Sequence, residues 1–177
     1  MRPSSAADRR PAVCIVRHNY YPDSHVRRDA EALARAGYDV SVIALRRPGQ
    51  PPREELGGVT VHRLPVEHRR GNVLRYAREY SSFAARAFLK VAALHARKRF
   101  RAVEVDNMPD LLVFSALVPK LLGVPVLLYI FDNMPELFAH IKGVSTRHPV
   151  ARLLAAMERV STAFADRVLV TQEMARR

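Results

Sequence analysis

Val124-Pro125-Val126-Leu127-Leu128-Tyr129-Ile130-Phe131-Asp132-Asn133-Met134-Pro135-Glu136 is the stretch that decides the fold. From Val124 to Phe131 it carries no charged side chain and does not alternate polar with apolar residues, the composition of a strand covered on both faces in the middle of a parallel sheet. The run ends at Asp132. Pro135 then suits the first turn of a helix, where its missing N–H would have had no partner, and Glu136 suits the positive end of the helix dipole. The stretch therefore reads as buried strand, polar turn, helix.

The same grammar extends in both directions. Ala102–Val105 reads as a fourth strand followed by Asp106-Asn107-Met108-Pro109-Asp110, a second D-N-M-P-acid turn, and a helix running to about Leu122 that Gly123 closes. Near the start, the apolar run Ala12–Val16 predicts the first strand and His18–Ser24 a polar loop. A helix follows, capped by Asp23 or Ser24, with Val26, Ala30, Leu33 and Ala34 on one face and Gly37 at its end. Asp39–Leu45 is the second strand, Arg46–Gly58 a proline- and glycine-rich loop, and Val59, Val61 and Leu64 mark a short third strand. From Val73 to Leu94 apolar residues keep helical spacing over about six turns. After Phe138 the reading is a basic loop over Ala139–Pro149, a helix over Val150–Ala165, a strand over Arg167–Thr171 and a helix start at Gln172–Arg177. Strands alternating with helices predict an α/β fold, a Rossmann-like doubly wound parallel sheet of six or seven strands in three α/β/α layers, covered on both faces. Residues 1–11 read as a disordered tail and 12–177 as one domain.

Composition narrows the function classes. A chain of 177 residues that is 49% hydrophobic and 26% charged supports one packed domain. The single cysteine, Cys14, lies in an apolar run, which excludes an internal disulfide or a cysteine metal site and fits a reducing, cytoplasmic setting. The N-terminus lacks the apolar core of a secretory signal, and Leu111–Phe131 is interrupted by Pro119, Lys120, Gly123 and Pro125, so no membrane span is expected. The formal charge of +12 favours anionic partners, nucleic acid, anionic lipid or phosphorylated substrates, without choosing among them.

In an open parallel sheet, ligands bind beyond the carboxyl ends of the strands. That rule selects His18–His25, Asp106–Asp110 and Asp132–Glu136. The first loop has bulky tyrosines where a dinucleotide would need G-x-G-x-x-G, and no Walker-type loop is present, so NAD, FAD and P-loop chemistry are not expected. His18, Tyr21, Asp23 and His25 offer hydrogen-bonding and stacking groups suited to a sugar; Asn107, Asp110, Asp132 and Glu136 add side-chain oxygens beside free helix N–H groups. Plain helix capping explains the two D-N-M-P turns equally well.

Taken in order, Arg27-Arg28-Asp29-Ala30-Glu31-Ala32-Leu33, Gly37-Tyr38-Asp39-Val40, Gly58-Val59-Thr60-Val61, Asn107-Met108-Pro109-Asp110-Leu111-Leu112-Val113 and Val118-Pro119-Lys120-Leu121-Leu122-Gly123 resemble the N-terminal domains of GT-B, family 4 type glycosyltransferases. Tyr129–Glu136 is similar to that family's D-x-H-D-x-x-P-E segment, with Phe131 in place of the histidine, and Arg167–Thr171 to its last strand before the interdomain hinge. The resemblance implies retaining transfer of a sugar from a nucleoside-diphosphate donor, usually without metal, to a glycan or lipid-linked acceptor held by this domain. It implies no cofactor beyond the donor substrate. It also implies a C-terminal donor-binding domain or partner chain beyond these residues; Asp132, which ends the central strand, is the candidate for a role near the reacting centre. The loop after strand one lacks the glycines that such enzymes often place near the donor phosphates, and Phe131 cannot hydrogen-bond to the sugar.

On the long helix, Arg75, Arg78, Arg86, Lys90 and Arg97 fall opposite the apolar face, and His68, Arg69 and Arg70 stand nearby. This stripe would rest on anionic lipid at the inner face of the cell membrane, or simply be a solvated face. Two other readings stand beside the enzyme: a noncatalytic scaffold, motivated by Phe131, and a basic nucleic-acid module. For the latter no helix-turn-helix, zinc finger or RNP-type motif is present, so no specific nucleic acid is expected.

Overall fold

The computed structural model describes residues 10–66 and 73–170. The expected N-terminal tail up to Arg9, the basic cluster His68–Arg70 and the last helix start at Gln172 lie outside them. In chain order the elements are β1 (Ala12–Tyr20), α1 (Ser24–Arg35), β2 (Asp39–Leu45), β3 (Arg53–Leu56), β4 (Val59–Leu64), α2 (Val73–Lys98), β5 (Ala102–Asp106), a 3₁₀ helix (Asp110–Ala116), α3 (Leu117–Leu121), β6 (Val126–Ile130), α4 (Met134–Lys142), α5 (Pro149–Phe164) and β7 (Arg167–Val170).

One seven-stranded sheet runs in the order β3-β4-β2-β1-β5-β6-β7, all parallel except β3, which pairs antiparallel with β4. Leaving β3 aside, the order rises from β1 to one side through β2 and β4, and to the other through β5, β6 and β7. Strand order therefore reverses between β1 and β5, and the crevice of such a sheet opens there.

Alternation along each strand sorts the apolar residues into two cores. Cys14, Val16, Ile43, Val103, Val105, Leu128 and Ile130 lie on the face of the sheet covered by α2, whose Phe83, Ala87 and Val91 are fully buried, and by the 3₁₀ helix, which packs on β5 and β6 and adds Leu112 and Val113. On the other face Val13, Ile15, Val40, Val42, Val59 and Val61 meet Val26 and Ala30 of α1. The second face is covered only over β4, β2 and β1 by the described helices. Leu127 and Tyr129 of β6 remain half-buried and Leu169 of β7 is 43% exposed. The expected three layers are thus complete on one side of the sheet and half complete on the other.

Four elements differ from the sequence reading, the first being β1, which runs on to Tyr20 through residues read as part of the His18–Ser24 loop. The Arg46–Gly58 loop contains β3, a hairpin strand that alternates with solvent and is held by the 2.7 Å pair between Arg63 Nη2 and Glu54 Oε2; Gly57 and Gly58 supply the two positive φ angles, 59° and 79°, of its tight turn. Polar edge residues gave it no apolar signature. The helix expected from Asp110 to Leu122 is a 3₁₀ segment followed by a short α3. Part of the expected loop Ala139–Pro149 is the second half of α4, which is capped by Gly143 at φ 62°.

Leu128 sits in the centre of the main core at 1% exposure. Leu128→Ala is expected to destabilise the chain by about 2–5 kcal/mol, read from the shift of a denaturant unfolding midpoint at unchanged slope.

Candidate functional site

The site grows from the end of β1. Its alternation continues past Val16, sending Arg17 to the α1 side and His18 to the α2 side. Because Val16 lies beside Val105 in the parallel register, Arg17 arrives next to Asp106, the last residue of β5, at the switch point. Arg17 Nη1 donates to Asp106 Oδ2 at 2.9 Å and Nη2 to Asp23 Oδ2 at 3.2 Å, and its guanidinium carbon lies 4.6 Å from the centre of the Phe131 ring. One side chain thus contacts the turns that follow β1, β5 and β6.

A second link is made by Asn107. Its side-chain oxygen accepts from the Phe131 N–H at 3.0 Å, its amide donates to the Asp132 carbonyl at 2.7 Å, and its own N–H donates to the Tyr129 carbonyl at 2.8 Å. Asn107 therefore fixes where Asp132 stands. Asp132 itself is exposed at the rim, as is Glu136, whose N–H donates to Asn133 at the start of α4. The two D-N-M-P turns are alike in sequence and unlike in structure: Asn133 caps a helix, whereas Asn107 is buried and joins two strands, and Met108 takes φ 70°.

Of the residues singled out from sequence, Asp23, His25, Asn107, Asp132 and Glu136 come to this rim. Asp23 accepts from the His25 N–H at 3.1 Å as the cap of α1, and also from Asn19 Nδ2 at 2.7 Å. The His25 ring is exposed and lies 5.3 Å from the Phe131 ring, which stacks on Tyr129 at 4.2 Å. Asp110 is buried directly behind, and burial raises its carboxyl above the ordinary range. His18 and Tyr21 go elsewhere. The His18 side chain lies under α2, 3.3 Å from Glu79 Oε1 and edge-on to Tyr80 and Phe83. Tyr21 packs at 3% exposure with Val26 and Ala30, and burial raises its phenol.

Sequence reasoning missed Arg17 as the hub and Glu104 as a buried acid near Asp106. A charged residue ending an apolar strand was the available signal for Arg17. Burial pushes Asp106 up to about 6 against the pull of Arg17, and it pushes Glu104, one pleat below on the same face, up to about 7, with Asp106 and Asp29 adding to the effect. Among the described residues no cluster of three His, Cys, Asp or Glu side chains has metal-site geometry.

A doubly wound sheet whose switch-point turns form an open polar rim defines the class of α/β proteins that bind ligands in a crevice beyond the strand ends. Residues 22–177 match the model of the glycosyl transferase 4-like domain, and the chain belongs to that family. No curated protein matches the sequence. Among solved structures, sucrose-phosphate synthase from Thermosynechococcus elongatus superposes at TM-score 0.68 with 16% identity over 94% of this chain and 43% of that one. UGT2 of Phytolacca americana, solved with UDP-2fluoro-glucose and pterostilbene, gives 0.59 and 17% over 94% and 49%. MurG of Acinetobacter baumannii gives 0.53 and 14% over 92% and 42%. At such identity the shared property is the fold, that of the GT-B glycosyltransferases. The chain spans less than half the length of each of these three.

Two measurements check the electrostatics. Replacing Arg17 by Met strands the fully buried Asp106 carboxylate beside Asp23 and is expected to cost about 3 kcal/mol or more at pH 7, with much of the loss restored in the Arg17→Met, Asp106→Asn double variant. Glu104 and Asp106 have folded pKa values above their unfolded ones, so the folded chain binds the extra protons and the stability these groups confer falls as pH rises from about 4 to about 7. Glu104→Gln should therefore raise the melting temperature by about 3 °C or more at pH 8 and change it little at pH 4.

Proposed function

We propose that this chain is the acceptor-side half of a retaining glycosyltransferase that moves a sugar from a nucleoside-diphosphate donor to a glycan or lipid-linked acceptor. The observation that carries the reading is the convergence of the turns after β1, β5 and β6 on one rim, in a member of the glycosyl transferase 4-like family. A C-terminal donor-binding domain, or a partner chain in its place, completes the cleft. The partial coverage of the solved glycosyltransferases supports that division.

In this reading Asp132 faces the reacting sugar, with His25 and Glu136 as exposed acceptor contacts and the part-buried Asp23, held by Arg17, Asn19 and the His25 N–H, at the edge of the acceptor site. Asn107 and Asp110 position the β5 and β6 turns rather than touch ligand. His18 and Tyr21, placed in the core, hold the β1 turn from behind. Where the family's segment has histidine, Phe131 presents an apolar ring with Arg17 on one side and His25 near its edge. His25 is the imidazole available at that place, on α1 instead of at the end of β6.

The test is sugar transfer by the full-length protein against a panel of nucleoside-diphosphate sugars and glycan acceptors. Transfer that falls about 100-fold in kcat in Asp132→Asn, with the melting temperature kept, supports the assignment. His25→Ala should raise KM for acceptor more than it lowers kcat. Phe131 itself favours a second reading, a noncatalytic scaffold. If neither the native protein nor Phe131→His transfers sugar from any donor, the scaffold is correct and the enzyme reading fails.

A further inference from the structure

The opposite end of the sheet carries a different surface. Ala12 pairs with Asp39, Val13 with Ala102, Val103 with Val126 and Leu127 with Arg167, so β2, β1, β5, β6 and β7 all begin along one edge. The segments that lead into them emerge together, at the base of the molecule and away from the polar rim. They bring Arg10, Arg97, Lys98, Arg99, Arg101, Lys120 and Arg167 against two carboxylates, Asp39 and Asp166. Both carboxylates are already engaged at 2.8 Å, Asp39 by Lys98 and Asp166 by Lys120. Arg97, Arg99 and Arg101 are exposed and have no ion pair among the described residues.

In the middle of this cationic edge stand Leu121 and Leu122, 75% and 67% exposed. They are neighbours at the end of α3, followed by Gly123 at φ 82°. Single exposed leucines are ordinary; two side by side, Leu122 lining one hollow with Arg99 and Arg101, make an apolar tip beside a cationic surface. A hollow of about 780 Å³ joins the turn after α2 to the turn after α3, lined by His95, Arg99, Arg101 and Leu122. A second, of about 400 Å³, continues past Pro125 to Lys120 and Arg167. These concavities are open and cationic, of a size to admit phosphate head groups.

We infer that this basal end docks on an anionic phospholipid surface, with Leu121 and Leu122 entering between head groups and the surrounding arginines meeting lipid phosphates. Charge complementarity selects an anionic partner and the leucine pair selects lipid among anions. A duplex would gain nothing from two aliphatic side chains, and Phe100, the aromatic residue in this edge, is buried at 2% exposure and cannot stack on bases. Docking by the base points the rim away from the bilayer, which favours the glycan over the lipid-linked acceptor in the proposed reaction. The contact therefore lies at a different place from the outer stripe of α2.

Sedimentation with phosphatidylcholine vesicles, with and without phosphatidylglycerol, tests the inference on the full chain. Binding is expected only when phosphatidylglycerol is present. Arg99→Glu with Arg101→Glu should lower affinity on the order of tenfold or more, whereas the same charge change on α2, Arg78→Glu with Arg86→Glu, should leave it within about twofold. Leu121→Ser with Leu122→Ser should weaken binding roughly tenfold, a deficit that persists at high salt. All these positions are exposed, so the variants should keep the parent's melting temperature. Equal losses from the two arginine pairs would reduce the effect to net charge and overturn the proposal. Binding to duplex DNA as tight as to vesicles, unaffected by the leucine changes, would make the base a nucleic-acid surface. A leucine-dependent dimer with no vesicle binding would make it a self-association face.

Discussion

The guanidinium of Arg17 is the interaction on which the working end of this molecule depends. Parallel strands deliver their turns to a common edge, yet nothing in sheet geometry holds the turns to one another. Arg17 does so with the cap of α1, the last residue of β5 and the aromatic ring after β6. Taking a carboxylate as buried as Asp106 out of water is costly, and only a partner at hydrogen-bond distance offsets that cost. A planar donor that can face two carboxylates and lie against a ring suits the position in a way an ammonium could not.

Around that hub the side chains divide by task. Asn107 donates to and accepts from the backbone of the neighbouring turn, and Asp110, hydrogen-bonded to its side chain, lies behind it. What remains exposed, Asp132, His25 and Glu136, is what such a scaffold leaves free for ligand. Rigid elements with locked supporting groups hold such side chains better than loops would. The incomplete layer over β5, β6 and β7 lies beside this rim, so the barely covered side of the sheet and the polar crevice are neighbours.

Much of the fold was legible because its buried strands are continuous apolar runs. Val126–Ile130, Ala12–Val16 and Asp39–Leu45 announce themselves by composition, and Gly37 and Gly123 end their helices where the pattern stops. β3 was illegible because an edge strand facing water needs no apolar alternation and Arg53-Glu54-Glu55 has none. The 3₁₀ segment at Asp110–Ala116 was illegible for another reason: its apolar residues satisfy either helix period over seven residues, and packing against α2 decides between them.

The candidate site divides along the same line. By itself the sequence determined which three turns carry polar residues after buried strands, because strand and turn are local consequences of composition and of residues such as proline and aspartate. Whether a given polar side chain in those turns faces the rim or the core depends on pleat parity and on which strand lies beside it, and both are set by strand pairings 23 to 89 residues apart along the chain. One pleat separates Arg17, which joins the rim, from His18, which lies under α2. That choice belongs to the tertiary structure, since the parity is set by the register of Val13–Val16 with β2 and β5, and Asp106 and α2 stand on opposite faces to receive the next two side chains.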